Sequence, residues 1–236
     1  MKTTRLFLLA AALLVAAPAA KTQTFETQIG TDLVSRYIWR GQELGQVSIQ
    51  PTLGISAWGL SLSAWGSVGL SNPTDTKELD LTLAYGIGGF NIGVTDYWFN
   101  TGLDPLNRYF KYEAGATNHV FEANIGYDFG FASLQWYTNF AGNDLVQSSG
   151  QFAYSSYAEV SVPFSLGGAE WSAAAGVVPF ATAFYGTKGF ALTNLSLKAE
   201  KDIRITDTFS IPLFAQVVVN PASNATFLVA GITLHP

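Results

Sequence analysis

Residues 79–87 read LDLTLAYGI, and this stretch decides the fold class. Its large apolar side chains fall at every second position, and smaller or polar residues such as Asp80 and Thr82 fall between them. Period two is the repeat of an extended strand with one apolar and one polar face. The same alternation recurs along most of the chain, so the sequence predicts an all-β protein.

The alternating segments are numerous and regularly spaced. Twelve can be drawn, with these approximate bounds: 24–40, 47–58, 60–70, 78–88, 89–99, 118–129, 131–141, 153–164, 169–179, 190–201, 206–219 and 224–234. Short turns, such as the one at Gly88-Gly89, alternate with longer loops. An even number of strands joined in this way is typical of bacterial outer-membrane barrels. We therefore predict a 12-stranded antiparallel transmembrane β-barrel whose termini both face the periplasm.

Three prolines fall inside the predicted strands. They are Pro51, Pro163 and Pro212. Proline removes a hydrogen bond from the ladder, and a closed barrel has no edge strand that tolerates the loss. We therefore expect β-bulges at these positions.

The composition agrees with a chain that has little surface in water. It is 48% hydrophobic and 12% charged, and it contains no Cys. A soluble domain usually carries about 25% charged residues. The alternative, a soluble β-sandwich, would show many Lys and Glu on its polar face, whereas Ser, Thr, Gly, Asn and Gln dominate here. The lack of Cys excludes disulfides, cysteine metal sites, thiol nucleophiles and a lipoprotein anchor.

The beginning of the sequence has the pattern of a secretory signal peptide. Lys2 and Arg5 precede an apolar run over residues 6–17, and small residues follow at 17–20. The run is short for a retained membrane anchor. We predict a signal peptide over residues 1–20 and a single barrel over 21–236. The net charge of −5 becomes more negative without the basic leader, which argues against a nucleic-acid partner.

Residues 35–41 read SRYIWRG near the start of the mature chain. This resembles the S-x-Y-x-W-R-G opening of a bacterial outer-membrane porin family, most of whose members are uncharacterised. Beyond the motif the resemblance is one of pattern over the whole mature chain. It implies a β-barrel in a Gram-negative outer membrane. The ending Leu234-His235-Pro236 departs from the terminal Phe that many such barrels carry.

Parity along the predicted strands separates lumen from lipid. The charged residues that we predict to line the lumen are Asp32, Arg36, Arg40, Asp80, Glu122, Glu159 and Lys198. Guanidinium groups in such an interior need carboxylate partners. Because acidic residues are in excess there, we expect a preference for cations or small polar solutes. Aromatic girdles at the two lipid headgroup levels are predicted to include Trp39 and Trp98 near the longer loops, and Trp58 and Trp171 beside short turns.

Catalytic motifs are lacking in the sequence. The chain has two histidines, His119 and His235, and it has no G-x-S-x-G motif. We predict no enzyme activity, metal or cofactor, and we expect His119 at a solvated rim. The predicted function is passive diffusion of small polar solutes or ions, with outer-membrane lipid as the obligatory partner. Two alternatives stay open: a closed structural or adhesion barrel, plugged by an Arg–carboxylate network or by the loop 100–117, and an outer-membrane hydrolase.

Overall fold

The chain forms a closed β-barrel in a computed structural model that describes residues 25–72, 74–100, 108–146, 148–207 and 209–235. The strands are Glu26–Val34 (β1), Tyr37–Trp39 (β2), Gln42–Gly45 (β3), Ser48–Ala57 (β4), Leu60–Gly69 (β5), Lys77–Ile87 (β6), Phe90–Asn100 (β7), His119–Asp128 (β8), Ser133–Gly142 (β9), Ser156–Leu166 (β10), Ala169–Val178 (β11), Ala191–Arg204 (β12), Ser210–Asn220 (β13) and Ala225–Leu234 (β14). No helix among these residues is long and apolar enough to cross a membrane.

Twelve of the strands build the barrel wall. Each pairs antiparallel with its neighbour in the order β1-β14-β13-β12-β11-β10-β9-β8-β7-β6-β5-β4, and the ring closes between β4 and β1. The predicted fold class, an all-β barrel of twelve antiparallel strands, is therefore confirmed. The predicted signal peptide over residues 1–20 lies outside the described residues.

The first predicted strand, residues 24–40, is wrong in its second half. The wall strand β1 ends at Val34, and the chain then forms β2 and β3, which pair only with each other. Val34 pairs directly with Ser48 at the beginning of β4. Residues 35–47 are thus an insertion between two adjacent wall strands, and the wall closes without them.

The outer face of the wall is a nearly continuous apolar belt. Alternate residues on each strand place aliphatic and aromatic side chains outward, where they are exposed, as for Leu53, Leu62, Leu83, Ile125, Val160, Leu197, Leu213 and Leu228. Such a large exposed apolar surface is not tolerated on a soluble monomer. A closed 12-stranded barrel with this belt fits an outer-membrane barrel in general.

The two ends of the barrel differ in their connections. At one end, here named the short-turn end, the strands are joined by residues 58–59, 88–89, 129–132, 167–168 and 205–209. At the other, the long-loop end, most of the connections are longer: 35–47, 70–76, 101–118, 143–155, 179–190 and 221–224. The insertion 35–47 therefore enters the barrel from the long-loop end.

The expected bulges at the three prolines are not found. The register runs unshifted past Pro51, Pro163 and Pro212. At each of them the ladder on one side is interrupted or has ended: β4 lacks pairs with β5 between Ile49 and Thr52, β10 pairs with β9 only as far as Ser161, and β14 joins β13 from Leu213. The missing N–H is thus accommodated without a bulge.

The pairing of β1 with β14, here named the seam, is short. It comprises four residue pairs, from Thr31↔Leu234 to Val34↔Gly231, whereas β1 and β4 are paired along the whole of β1. A small apolar cluster of Val34, Phe214 and Val229 lies beside the seam inside the barrel.

Candidate functional site in the barrel lumen

A hairpin fills the lumen at the long-loop end. It consists of β2, a two-residue turn and β3, spans residues 37–45, and is named the lumen hairpin here. Its Tyr37 hydroxyl donates a hydrogen bond of 2.8 Å to Glu78 on β6. Its Gly41 carbonyl accepts one of 3.0 Å from Asn220 on β13. Because β6 and β13 lie on nearly opposite sides of the ring, the hairpin crosses the whole lumen.

The turn of the lumen hairpin depends on the two residues that form it, Arg40 and Gly41. Arg40 and Gly41 have φ angles of 49° and 80°, the signs that a two-residue hairpin turn of type I′ needs at both positions. A Cβ atom at residue 41 would also overlap the carbonyl oxygen of Thr193 in the wall. Glycine is thus needed there both for conformation and for close approach.

Arg40, at the tip of this turn, is held by a carboxylate. Its Nη1 lies 2.5 Å from Oε2 of Glu122, and its Nη2 lies 2.9 Å from Oε1. The two side chains are 8% and 2% exposed. Nη1 also donates to the hydroxyl of Tyr185, at 2.6 Å. This planar two-point pairing is the strongest arrangement of a guanidinium with a carboxylate.

Aromatic rings surround the same guanidinium. The Cζ of Arg40 lies 4.0 Å from the ring centre of Tyr137 and 4.7 Å from that of Tyr157. Stacking on aromatic faces stabilises a desolvated cation. We name the four groups Glu122, Tyr137, Tyr157 and Tyr185 the guanidinium box.

The surroundings of the box determine the protonation states of Arg40 and Tyr185. Burial alone lowers the pKa of Arg40, but the facing Tyr185 and Glu122 side chains outweigh it and raise the pKa well above its ordinary value. Burial raises the pKa of Tyr185, and the neighbouring Arg40 only partly offsets this. Arg40 is therefore a cation and Tyr185 a neutral phenol at every physiological pH.

A second contact holds the base of the hairpin. The Tyr37 ring packs on Trp65, with 5.4 Å between ring centres, and its hydroxyl binds Glu78. Burial raises the pKa of Tyr37, and the charge of Glu78 adds to the effect, so this hydroxyl stays protonated and donates. Glu78 and the predicted lumen residue Asp80 are both buried on the inner face of β6. This side of the lumen thus holds two neighbouring buried carboxyl groups.

The other predicted lumen residues lie at several levels of the inner wall. Glu159 accepts hydrogen bonds from Tyr157 and Asn194, Lys198 pairs with Glu200 at 2.7 Å, and Asp32 accepts from Thr233 at 2.6 Å. Of the predicted set, Arg40 and Glu122 are thus the pair that the fold brings into direct contact.

Arg36 and Trp39 lie elsewhere than predicted. Arg36 pairs with Glu43 on the hairpin itself, and its side chain is 44% exposed, so it does not line the wall. Trp39 does not face outward in a girdle. It stacks on Tyr185 inside the barrel, at 5.9 Å between ring centres. Both differ for one reason, since the hairpin leaves the wall and wall parity no longer applies to it.

Trp58 and Trp171 lie beside short turns as the girdle prediction requires. Trp58 is exposed and contacts Phe25. Trp171 donates from Nε1 to the Leu166 carbonyl at 2.9 Å and stacks on Phe164. Their role as a membrane girdle remains a prediction.

The fourth girdle residue, Trp98, is covered on the outer face of the wall. Trp98 is buried and contacts the ring of Tyr109, 5.4 Å away. Tyr109 belongs to residues 108–117, here named the outer strap, which pack on the outside of β7 and β8. The described part of the loop 100–117 therefore does not enter the lumen, while residues 101–107 lie outside the described residues.

A buried histidine fastens the outer strap. His119 is fully buried, contrary to the solvated rim position expected for it. Its Nδ1 lies 2.7 Å from Oδ1 of Asp96, and its Nε2 lies 2.5 Å from the carbonyl oxygen of Tyr109. The Tyr112 ring covers it, with 4.3 Å between ring centres. Asp96 on β7 thus fixes the ring through Nδ1, and Nε2 holds the strap through Tyr109.

Replacing His119 by alanine is expected to release the outer strap. Loss of the Tyr109 hydrogen bond and of the ring contacts with Tyr109 and Tyr112 costs about 2–3 kcal/mol of local stability, which raises the open population of the strap roughly 30- to 150-fold. Arg108 and Lys111 offer trypsin sites in the strap, so the cleavage rate measures the opening. His235→Ala, at an exposed position, is the control. Equal cleavage rates of the two variants would contradict the assignment.

The sequence reasoning missed part of the box. Tyr185 lies in a loop without periodicity, so no pattern could assign it to the lumen. Tyr137 and Tyr157 lie at inward parity on their strands, and this was the signal that could place them in the lumen.

Comparison of the chain with protein-family models and with curated proteins gives no match. In the part of the chain that the structure describes, no group of three or more His, Cys, Asp or Glu is placed to hold a metal ion.

Proposed function

We propose that this chain is a bacterial outer-membrane barrel that passes small polar solutes or ions through a lumen narrowed by the lumen hairpin. In this proposal the apolar belt faces lipid. The even number of wall strands leaves the beginning of β1 and the end of β14 on the short-turn side, which we assign to the periplasm. The resemblance of residues 35–41 to an outer-membrane porin family points the same way. The proposed role is transport and includes no catalysis.

The observation that carries the proposal is the contrast between the two halves of the lumen. The long-loop half holds the hairpin and its aromatic and charged partners. Near the short-turn end, β1, β4 and β5 border a cavity of about 350 Å³ that is lined in part by Glu26, Gln28, Gly54, Ser56, Ser61 and Ser63. A polar cavity behind a narrow, charged constriction is consistent with a selective pore.

A closed structural barrel is the second candidate function. It is favoured by the hairpin itself, which contacts the wall on nearly opposite sides through Glu78 and Asn220. A hydrolase has less support. The Nε2 atom of His119 is occupied by the Tyr109 carbonyl rather than facing a nucleophile.

Single-channel recording in planar bilayers separates the two candidates. The hairpin can be excised by replacing residues 36–45 with a short Gly-Ser turn, because Val34 and Ser48 are already paired. We expect small current steps from the intact chain and steps at least about threefold larger after excision, since a barrel of twelve strands lies between filled and water-filled sizes. Arg36→Ala, which removes an exposed pair on the hairpin, should leave the conductance unchanged.

If neither the intact protein nor the protein without the hairpin gives current steps, the channel proposal is overturned and the structural barrel is favoured. Equal conductance of the two would retain a channel but remove the hairpin as its constriction. Circular dichroism of each preparation verifies that the barrel is folded before it is recorded.

A further inference from the structure

We propose that the guanidinium box is a binding site for solutes that carry a guanidinium group, and that Arg40 occupies it in this structure as a tethered ligand. The inference deepens the proposed function, on which it rests, because a solute reaches the box through the lumen. It names the chemical class that the constriction recognises.

The four groups of the box come from outside the hairpin that fills it. Glu122, Tyr137 and Tyr157 project from β8, β9 and β10, and Tyr185 projects from the loop 179–190. Glu122 is further fixed by the hydroxyl of Tyr97, which donates to its Oε1 at 2.9 Å. None of these groups belongs to residues 37–45. The four groups are therefore still present when Arg40 is replaced, and Trp39 of the hairpin adds a further ring, 4.4 Å from Cζ.

The chemistry of the box selects a planar cation. Two carboxylate oxygens accept in parallel from two nitrogens, at 2.5 and 2.9 Å, which requires the forked donors of a guanidinium. The Tyr137 ring, 4.0 Å from Cζ, takes the flat face of the ion. A sodium ion or an ammonium group has neither a fork nor a face, so it satisfies this arrangement poorly.

The burial of Glu122 favours binding of a cation in the box when Arg40 is absent. The side chain of Glu122 is 2% exposed, so without Arg40 its carboxylate is left desolvated and without its cation. The Tyr97 hydroxyl alone does not neutralise it. A guanidinium from solution restores both the charge balance and the aromatic contacts.

In the intact chain, free solute competes with the tethered side chain. A short tether gives Arg40 an effective concentration in the millimolar range or above, so free guanidinium binds weakly until it exceeds that concentration. Removal of Arg40 removes the competitor. We therefore expect Arg40→Ala to bind guanidinium at least about tenfold more tightly than the unaltered protein.

The test is calorimetric titration of guanidinium chloride into the folded Arg40→Ala protein in detergent, with sodium chloride as the matched titrant. Guanidinium denatures only at molar concentration, so titration to about 50 mM leaves the barrel intact. Binding is expected with guanidinium and not with sodium. Binding should be lost in Arg40→Ala/Glu122→Gln and should stay weak in Arg36→Ala, the control variant next to the same hairpin.

Absence of guanidinium binding to folded Arg40→Ala would overturn the inference, and so would equal binding after the Glu122→Gln change. If Arg40→Ala does not fold, the unaltered protein is titrated with L-arginine and with L-lysine, and tryptophan fluorescence is followed because Trp39 stacks on Tyr185 in the box. A response to arginine alone supports the site, and equal responses reject it. Calorimetry needs no current, so binding without conductance would reject the channel and keep the site.

Discussion

Replacing Glu122 by glutamine is expected to lower the free energy of unfolding by about 3–5 kcal/mol, because it leaves the cation of Arg40 buried without its carboxylate. Glutamine has nearly the same shape, so the loss reports on charge rather than on volume. The Arg40 and Glu122 side chains are 8% and 2% exposed, which leaves little room for water to replace the pairing. The hairpin tip should therefore leave the box.

Urea unfolding in detergent, followed by tryptophan fluorescence, measures this loss; urea is used because guanidinium is itself a candidate ligand. Glu43→Gln is the matched control, since Glu43 pairs with Arg36 in an ion pair whose side chains are 35% and 44% exposed. Its cost should not exceed about 1 kcal/mol. Equal losses for the two variants would show that the buried pair contributes no more than the exposed one.

The double variant Arg40→Leu/Glu122→Gln extends the same prediction. Removing both charges relieves the unpaired cation, so the double variant should be more stable than Glu122→Gln alone. If the double variant loses as much free energy of unfolding as Arg40→Leu and Glu122→Gln lose together, the two charges act independently. That result would contradict the geometry of the pair.

Replacing Gly41 by alanine is expected to expel the lumen hairpin. An alanine at φ 80° costs about 1–2 kcal/mol, and the overlap of its Cβ with the Thr193 carbonyl adds about 1–3 kcal/mol unless the turn retreats from β12. The hydrogen bond from Asn220 to the Gly41 carbonyl is then lost. We expect Trp39 to become accessible to a water-soluble quencher and the conductance to approach that of the excised protein.

Gly130→Ala separates these two effects. Gly130 has nearly the same φ, 82°, but a Cβ there would meet nothing within 4 Å. Its cost should be the conformational part alone, about 1–2 kcal/mol, with no change in Trp39 accessibility. Quenching that rises equally in both alanine variants would mean that the close approach to Thr193 does not hold the hairpin.

The wall strands could be predicted from the sequence because every residue in them must face either the lumen or the outer face. Each inward step on β6, from Glu78 through Asp80 to Thr82, alternates with a residue of the apolar belt, and a slip by one residue would turn the charges to the outside. The number of strands and the alternation of short and long connections therefore follow from the sequence.

The lumen hairpin was not predictable by the same means. Residues 36–40 alternate as well as any wall strand does, with Tyr37 and Trp39 at one parity and Arg36 and Arg40 at the other. Period two indicates extended backbone but does not indicate which strand it pairs with. The deciding interactions, from Arg40 to Glu122 and from Gly41 to Asn220, join residues 82 and 179 positions apart. No local pattern contains that information.

The outer strap escaped prediction for a related reason. Asp96 has outward parity on β7, and no local pattern indicates which residue pairs with it there. In the structure it pairs with His119 on the outer face, and the rings of Tyr109 and Tyr112 pack on His119. The loop sequence allowed both an inward and an outward course, and the buried pair, visible only in three dimensions, decides between them.

The short seam has a consequence for the order of events in assembly. β1 and β14 are the two ends of the wall, so their pairing closes the longest loop in the chain and should form last. The insertion that follows β1 binds beside that junction. Ser35 exchanges hydrogen bonds with Ala230 on β14, Ile38 packs on the apolar cluster beside the seam, and the Gly41 carbonyl accepts from Asn220 on β13. The hairpin that narrows the lumen therefore also stabilises the β1–β14 pairing that closes the ring. If the hairpin binds late during folding, the barrel should remain an open sheet for longer.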